Sequence, residues 1–141
     1  NRFTKRNVMR IGFDEAGIER LRSKSKLLTQ YLQYLVETEI NSSNNTNNLR
    51  IKILTPKDPE QRGAQLSFRV IGVDGTQLFE QLEQLGFGML SLRFDDCFFL
   101  KFESIFQLDL RNDVIRIAPA PLYNSFSEVY RFVSLLKTIQ I

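Results

Sequence analysis

The chain has 141 residues, 43% of them apolar and 25% charged, enough for one soluble domain with a core of its own. Nineteen Lys and Arg against sixteen Asp and Glu leave a formal charge of +3, with the basic residues scattered rather than striped, so nucleic-acid binding is not expected. There is no histidine and a single cysteine, Cys97, which removes the commonest general base and metal ligand, forbids an intrachain disulfide and makes a reducing, cytoplasmic compartment the default.

No metal site, P-loop, dinucleotide fingerprint or nucleophile elbow is legible. No membrane span is expected either, because Arg93, Asp95, Asp96 and Lys101 interrupt the richest apolar run. The sequence starts at Asn1 with nothing like a signal peptide and reads as a piece of something longer.

In chain order, residues 14–40 predict a long helix. Ile18, Leu21, Leu28, Leu32 and Leu35 form a stripe at three- and four-residue spacing, widened by Leu27, Tyr31 and Tyr34, and core packing is its plainest use. "NSSNNTNN" (41–48) reads as a flexible loop, and its glycosylation-like triplets at Asn41 and Asn44 read as chance. "LRIKIL" (49–54) alternates as a strand, "TPKDPEQRG" (55–63) as a turn-rich connection, and "AQLSFRVIG" (64–72) as a second strand with Ala64, Leu66, Phe68 and Val70 on one face. Two such strands predict a short, mostly antiparallel sheet covered on one side.

Asp74 and Gln77 then predict a capping box, Leu78, Phe79, Leu82 and Leu85 a buried helix side, and Gly86 its stop. "DVIRIA" (113–118) is a third strand. "NSFSEVYRFVSLLKTI" is a closing helix, capped by Ser125 and Glu128, with Val129, Phe132, Val133 and Leu136 inside. The fold class is α+β with helices on one face of the sheet. Between Gly86 and Leu108 lies "FGMLSLRFDDCFFLKFESIFQ" (87–107), which holds half of the twelve phenylalanines. It reads either as an inserted, aggregation-prone hairpin or, the better fit, as intron sequence translated in frame, since pyrimidine-rich codons and a closing AG suit "SIFQ".

Two motifs go further: "LTPKDPEQRGAQLSFRV" (54–70) and "DVIRIAPAPLYNSFSEVYRFVSLL" (113–136). Together they closely resemble the C-terminal small domain of kynureninase, a pyridoxal-phosphate enzyme of the aspartate-aminotransferase fold type. The helix "FDEAGIERLRSKSKLLTQYLQYLVE" (13–37) looks like the one leading into that domain. The resemblance makes 13–141 a C-terminal small domain, a fragment of a larger enzyme, and leaves 1–12 and 87–107 unmatched. "LDLRNDVIR" (108–116) resembles the Asp-x-Arg element leading into the family's last strand, with Asn112 where the family often has Pro.

The resemblance implies hydrolysis of L-kynurenine to anthranilate and L-alanine, and of 3-hydroxykynurenine to 3-hydroxyanthranilate, by a cytoplasmic homodimer using pyridoxal 5'-phosphate. It implies that the cofactor's lysine, phosphate cup and acidic partner lie in a large domain outside this chain, which alone is then inactive. It makes Arg116 the clamp on the substrate α-carboxylate, a role that suits a planar guanidinium fork, and alternation with Ile115 and Ile117 points it off their face. Supporting candidates are Arg62, as structural residue or domain-boundary partner, and Gly63, permitting tight backbone geometry. Tyr123, expected to pack, and Asn124, expected in a turn or cap, complete the set. The alternative function is a non-catalytic interaction module that binds a full-length homologue.

Overall fold

Leucines at helical spacing build α1, Ile18–Leu35, in a computed structural model that describes residues 14–42, 48–85, 87 and 107–139. The predicted helix from residue 14 is broken at Gly17, whose φ of 73° is left-handed, and the ladder restarts with Leu21 N–H donating to Gly17 O at 3.1 Å. Beyond Leu35 the helix widens into a π-helical turn, Val36–Ile40, closed by Asn41 N–H to Val36 O at 3.0 Å, which keeps Val36 and Ile40 both buried.

Leu21, Leu28, Leu32 and Leu35 are buried as the stripe predicts, but Ile18, Leu27 and Tyr34 are 76%, 54% and 60% exposed. At 3.6 residues per turn Leu27 and Tyr34 sit about 100° and about 120° around the cylinder from Leu28, past the edge of what a helix packed on one side can bury. Ile18 stands on the first, open turn.

The strands are β1 (Arg50–Ile53), β2 (Leu66–Ile71), β3 (Gln107–Arg111) and β4 (Val114–Ala118), joined wholly antiparallel in the order β1-β2-β4-β3. Three strands are legible in the sequence. The fourth, β3, resembles only a lead-in to β4 in the sequence, although Leu108 and Leu110 alternate there with Asp109 and Arg111. Arg111 pairs with Val114 across a two-residue turn whose Asn112 has φ 55°. Asparagine tolerates that left-handed conformation, and a proline, locked near −65°, does not, so Asn112 means a different turn from the one a proline would make.

The helices α2 (Gly75–Gln84) and α3 (Phe126–Thr138) join α1 on one face of the sheet. Inward-pointing Ile51, Leu66, Phe68, Leu108, Ile115 and Ile117 share a single core with Leu28 and Leu32 of α1, Leu78 and Leu82 of α2, and Val129, Phe132, Val133 and Leu136 of α3. The antiparallel sheet with helices on one face is therefore as expected. Ala64 is exposed, because β2 starts two residues later, and Leu85 at the end of α2 is half exposed rather than buried.

Ser125 and Glu128 form the full capping box of α3, and Asp74 caps α2 by accepting from the backbone of Thr76 and Gln77. The stop at Gly86 lies outside the described residues. The end of α2 is closed by Phe87 N–H donating to Leu82 O at 2.8 Å, the six-residue bond of a Schellman motif. Phe87 is fully buried and meets Phe132 edge-on, ring centroids 5.3 Å apart at 61°.

Two further residues pin the periphery. The Asn41 side chain donates Nδ2–H to Ile51 O at 2.8 Å and accepts Ile51 N–H at 2.9 Å, so one amide stands in for a neighbouring strand along the outer edge of β1. The sequence reading of Asn41 as an idle triplet misses this; Asn44 lies outside the described residues. Gly72, φ 91°, brings the chain off β2 so close to the backbone that a Cβ would fall 2.2 Å from Asn48 O.

Candidate functional site

The sheet face away from the helices is polar. β4 is an inner strand, and alternation that buries Ile115 and Ile117 puts Arg116 on the opposite face, as expected. The register sets Ser67 of β2 on one side of Arg116 and Asp109 of β3 on the other. The next row holds Lys52, Arg69, Val114 and Arg111.

Asp109 is the hub. Its Oδ2 accepts from Arg116 Nη2 and, at 3.1 Å, from Arg111 Nε. The hydrogen bond from Arg111 does most to hold the Asp109 carboxyl below the usual carboxylate range; desolvation opposes it, and the charges of Arg111 and Arg116, with the Arg116 hydrogen bond, reinforce it. Arg69 pairs separately with Asp113 at 2.9 Å. Arg116 is about one-third exposed, and its Nε is buried without a partner among the described residues. One arm of the guanidinium is thus taken and Nε is closed off, so what a ligand acceptor can reach is the exposed third of the side chain. Asp109 and Arg111 escaped the sequence reading as site residues because their strand did; the Leu-Asp-Leu-Arg alternation was the available signal.

The other candidates do not gather at Arg116. Arg62 is buried and turned toward α1, with Nη1 donating to Gln33 Oε1 at 2.6 Å, Pro56 O at 3.0 Å and Lys57 O at 3.2 Å. Burial pulls its guanidinium below the ordinary value, against the charge of Asp58, which raises it. Arg22 of α1 completes the anchor, donating to Pro59 O and to Arg62 O at 2.8 Å. These bonds tie Arg62 to α1 and to residues 56–57 inside the domain.

Gly63 corrects another expectation: its φ is not left-handed, a Cβ there meets nothing within 4 Å among the described residues, and the residue is exposed, so no tight geometry among those residues requires glycine. Tyr123, expected to pack, is 46% exposed on a turn and so is covered over only about half of its surface. Asn124 is a buried turn residue: its Oδ1 accepts from Ala120 N–H at 2.6 Å and its own N–H donates to Ala120 O at 2.7 Å.

Surface depressions between α1 and residues 57–60 are lined by Leu27, Gln30, Tyr34 and Lys57 among others, and not by Arg116. Among the described residues no His, Cys, Asp or Glu groups of three or more can hold a metal ion, and no helix is long and apolar enough to cross a membrane.

Fold and face together define a small α+β domain that presents an arginine–carboxylate cluster on an open sheet. Residues 21–89 match the family model described as "Kynureninase C-terminal domain". The chain is 38% identical over 129 residues to a kynureninase of Nematostella vectensis, covering 88% of this chain and 23% of that protein. It is 38% identical over 125 residues to one of Monosiga brevicollis (89% and 23%) and 40% identical over 125 residues to one of Myxococcus xanthus (89% and 23%). The chain belongs to the kynureninase family, as its C-terminal part, and spans about a quarter of the length of these relatives.

Proposed function

We propose that the chain serves as the C-terminal part of a pyridoxal-phosphate-dependent kynureninase, which hydrolyses the Cβ–Cγ bond of L-kynurenine to anthranilate and L-alanine in tryptophan catabolism and NAD biosynthesis. Its 3-hydroxy analogue would yield 3-hydroxyanthranilate, and the working unit is a cytoplasmic homodimer. The observation that carries the proposal is Arg116, set on the open sheet face, about one-third exposed and held by Asp109 through Nη2. Its role is to grip the substrate α-carboxylate and so orient the side-chain ketone for attack by water.

Pyridoxal phosphate, when bound, supplies the electron sink for this cleavage. The described residues do not fit as its cradle. A Schiff-base lysine needs a desolvated amine. None of the described lysines is buried, and Lys26, Lys57 and Lys137 are held in ion pairs with Glu60, Glu37 and Glu39. Cofactor binding is therefore assigned to the part of the protein beyond this chain. The 141 residues alone, mixed with pyridoxal phosphate and gel-filtered, are expected to retain no cofactor absorbance; a stoichiometric adduct at one lysine contradicts this.

In the intact protein, Arg116→Gln should raise KM for kynurenine roughly 10- to 100-fold, the effect of losing a charge-assisted hydrogen bond, without lowering Tm. An unchanged KM removes Arg116 from the site.

Exposed Leu27, Tyr34, Phe126 and Tyr130 favour a second reading, the non-catalytic module that docks on a full-length homologue. The coding sequence upstream of Asn1 separates the two: an open frame with a lysine-bearing domain supports the enzyme, a start codon near residue 1 the module. Residues 1–12 and, within 87–107, those between the core residue Phe87 and the β3 residue Gln107 are proposed as additions to the domain, and a spliced transcript encoding 87–107 throughout overturns the intronic origin of that stretch.

A further inference from the structure

Arginine on an open sheet face has a geometric problem. Its side chain has four rotatable bonds and a strongly favourable hydration shell, and a guanidinium that wanders grips a carboxylate poorly because the ordering cost falls on binding. Here β3 answers it. The register places Asp109 directly opposite Arg116, and Asp109 Oδ2 takes Arg116 Nη2. Arg111, two residues along β3, binds the same Oδ2 through Nε at 3.1 Å and so fixes the carboxylate that fixes Arg116. Arg116 is about one-third exposed while its Nε is buried, so the guanidinium is restrained on one side and still open to a ligand on the other.

We propose that Asp109, itself held by Arg111, is a positioning residue that orients the Arg116 guanidinium for an α-carboxylate. The proposal rests on Arg116 being the carboxylate clamp and adds the device that aims it.

Positioning and simple electrostatics predict opposite signs. Asp109 is a negative charge beside a site for a negative ligand. If it acted only by charge, removing it would strengthen carboxylate binding and lower KM. If it orients Arg116, removing it weakens binding despite the lost repulsion.

The experiment is a double-mutant cycle on the intact, cofactor-loaded protein, with KM and kcat for kynurenine and Tm measured for wild type, Asp109→Ala, Arg116→Gln and the pair; Asp109→Asn, closer in shape, serves if the alanine variant does not fold. Asp109→Ala is expected to raise KM about tenfold with kcat changed far less, and to add nothing once Arg116 is gone. A lowered or unchanged KM in Asp109→Ala, or a tenfold rise that persists in the Arg116→Gln background, overturns the positioning role while leaving the clamp intact. An Arg116→Gln variant with unchanged KM instead overturns the clamp, and the positioning role falls with it.

Discussion

The two faces of this sheet are written by the same four strands, one residue apart. On the helix side stand Ile51, Leu66, Phe68, Leu108, Ile115 and Ile117; on the other stand Lys52, Ser67, Arg69, Asp109, Arg111 and Arg116. On the covered face a side chain's worth is set by volume, because close packing leaves nothing to fill a gap. On the open face it is set by charges that water screens, so each pair contributes little to stability. The open face is thus free to carry chemistry, since changing it does not unfold the domain beneath it.

The largest effect should come from the covered face. Phe132 is fully buried on α3 and meets Phe87 edge-on. Phe132→Ala is expected to destabilise the domain by about 3–5 kcal/mol in denaturant titration. It also tests whether Phe87, at the border of the unmatched segment, is an integral part of the core: Phe87→Ala should cost nearly as much, and a negligible loss would separate that residue from the domain.

A position on neither face comes next. Gly72→Ala combines a left-handed backbone with a Cβ 2.2 Å from Asn48 O, a rigid backbone atom, and should cost about 2–4 kcal/mol. Gly63→Ala, with open space and no left-handed φ, is the control and should change stability by less than about 0.5 kcal/mol. If Gly63→Ala nevertheless abolishes activity in the intact protein, the close approach that needs glycine comes from outside this domain.

The edge of the sheet should rank third. Asn41→Ala removes both bonds to Ile51 and leaves an N–H and a C=O of β1 to water, an expected loss of about 1–2 kcal/mol. Hydrogen exchange at the Ile51 amide should speed up more than at Phe68 in the inner strand β2, and equal protection in the variant would show that the amide bonds do not hold the edge.

How much of this was legible follows the same division. Period-2 and period-3.6 patterns report burial, so the covered face could be read directly: Leu66 and Phe68, Val129, Phe132 and Val133, and both helix caps. Arg116 could be placed on the open face by parity alone, and its role came from the resemblance around it. Asp109 and Arg111 cannot be joined to it without register, which no local pattern specifies, and the four-residue alternation of β3 is short and follows directly on a phenylalanine-rich run without a turn signal between them. Arg62 illustrates the other gap: its partners Gln33 and Pro56 come from separate segments that only the tertiary fold brings together. The exposure of Leu27 and Tyr34 was missed because a widened stripe reads as core until the packing partner's width is known.

The smallest predicted effect tests the open face directly. The Asp109 carboxyl is held below its ordinary value first by the Arg111 hydrogen bond and then by the neighbouring guanidinium charges. Its folded pKa is therefore lower than its unfolded one, near 3.9. The ionised form stabilises the fold above that unfolded value, and the contribution is lost as pH falls through the folded one. Asp109→Asn should then lower stability at neutral pH only slightly, because the side chain is 43% exposed and its pairs are screened, and the two proteins should converge below about pH 4, where the wild type loses that same small contribution. Raising salt to about 1 M, where the Debye length is near 3 Å, should shrink even that difference. Phe132→Ala should behave otherwise, lowering the whole stability–pH curve by a constant amount. A uniform lowering by Asp109→Asn as well would mean that Asp109 supports packing rather than charge, and the division of labour between the two faces would fail at the residue proposed to aim Arg116.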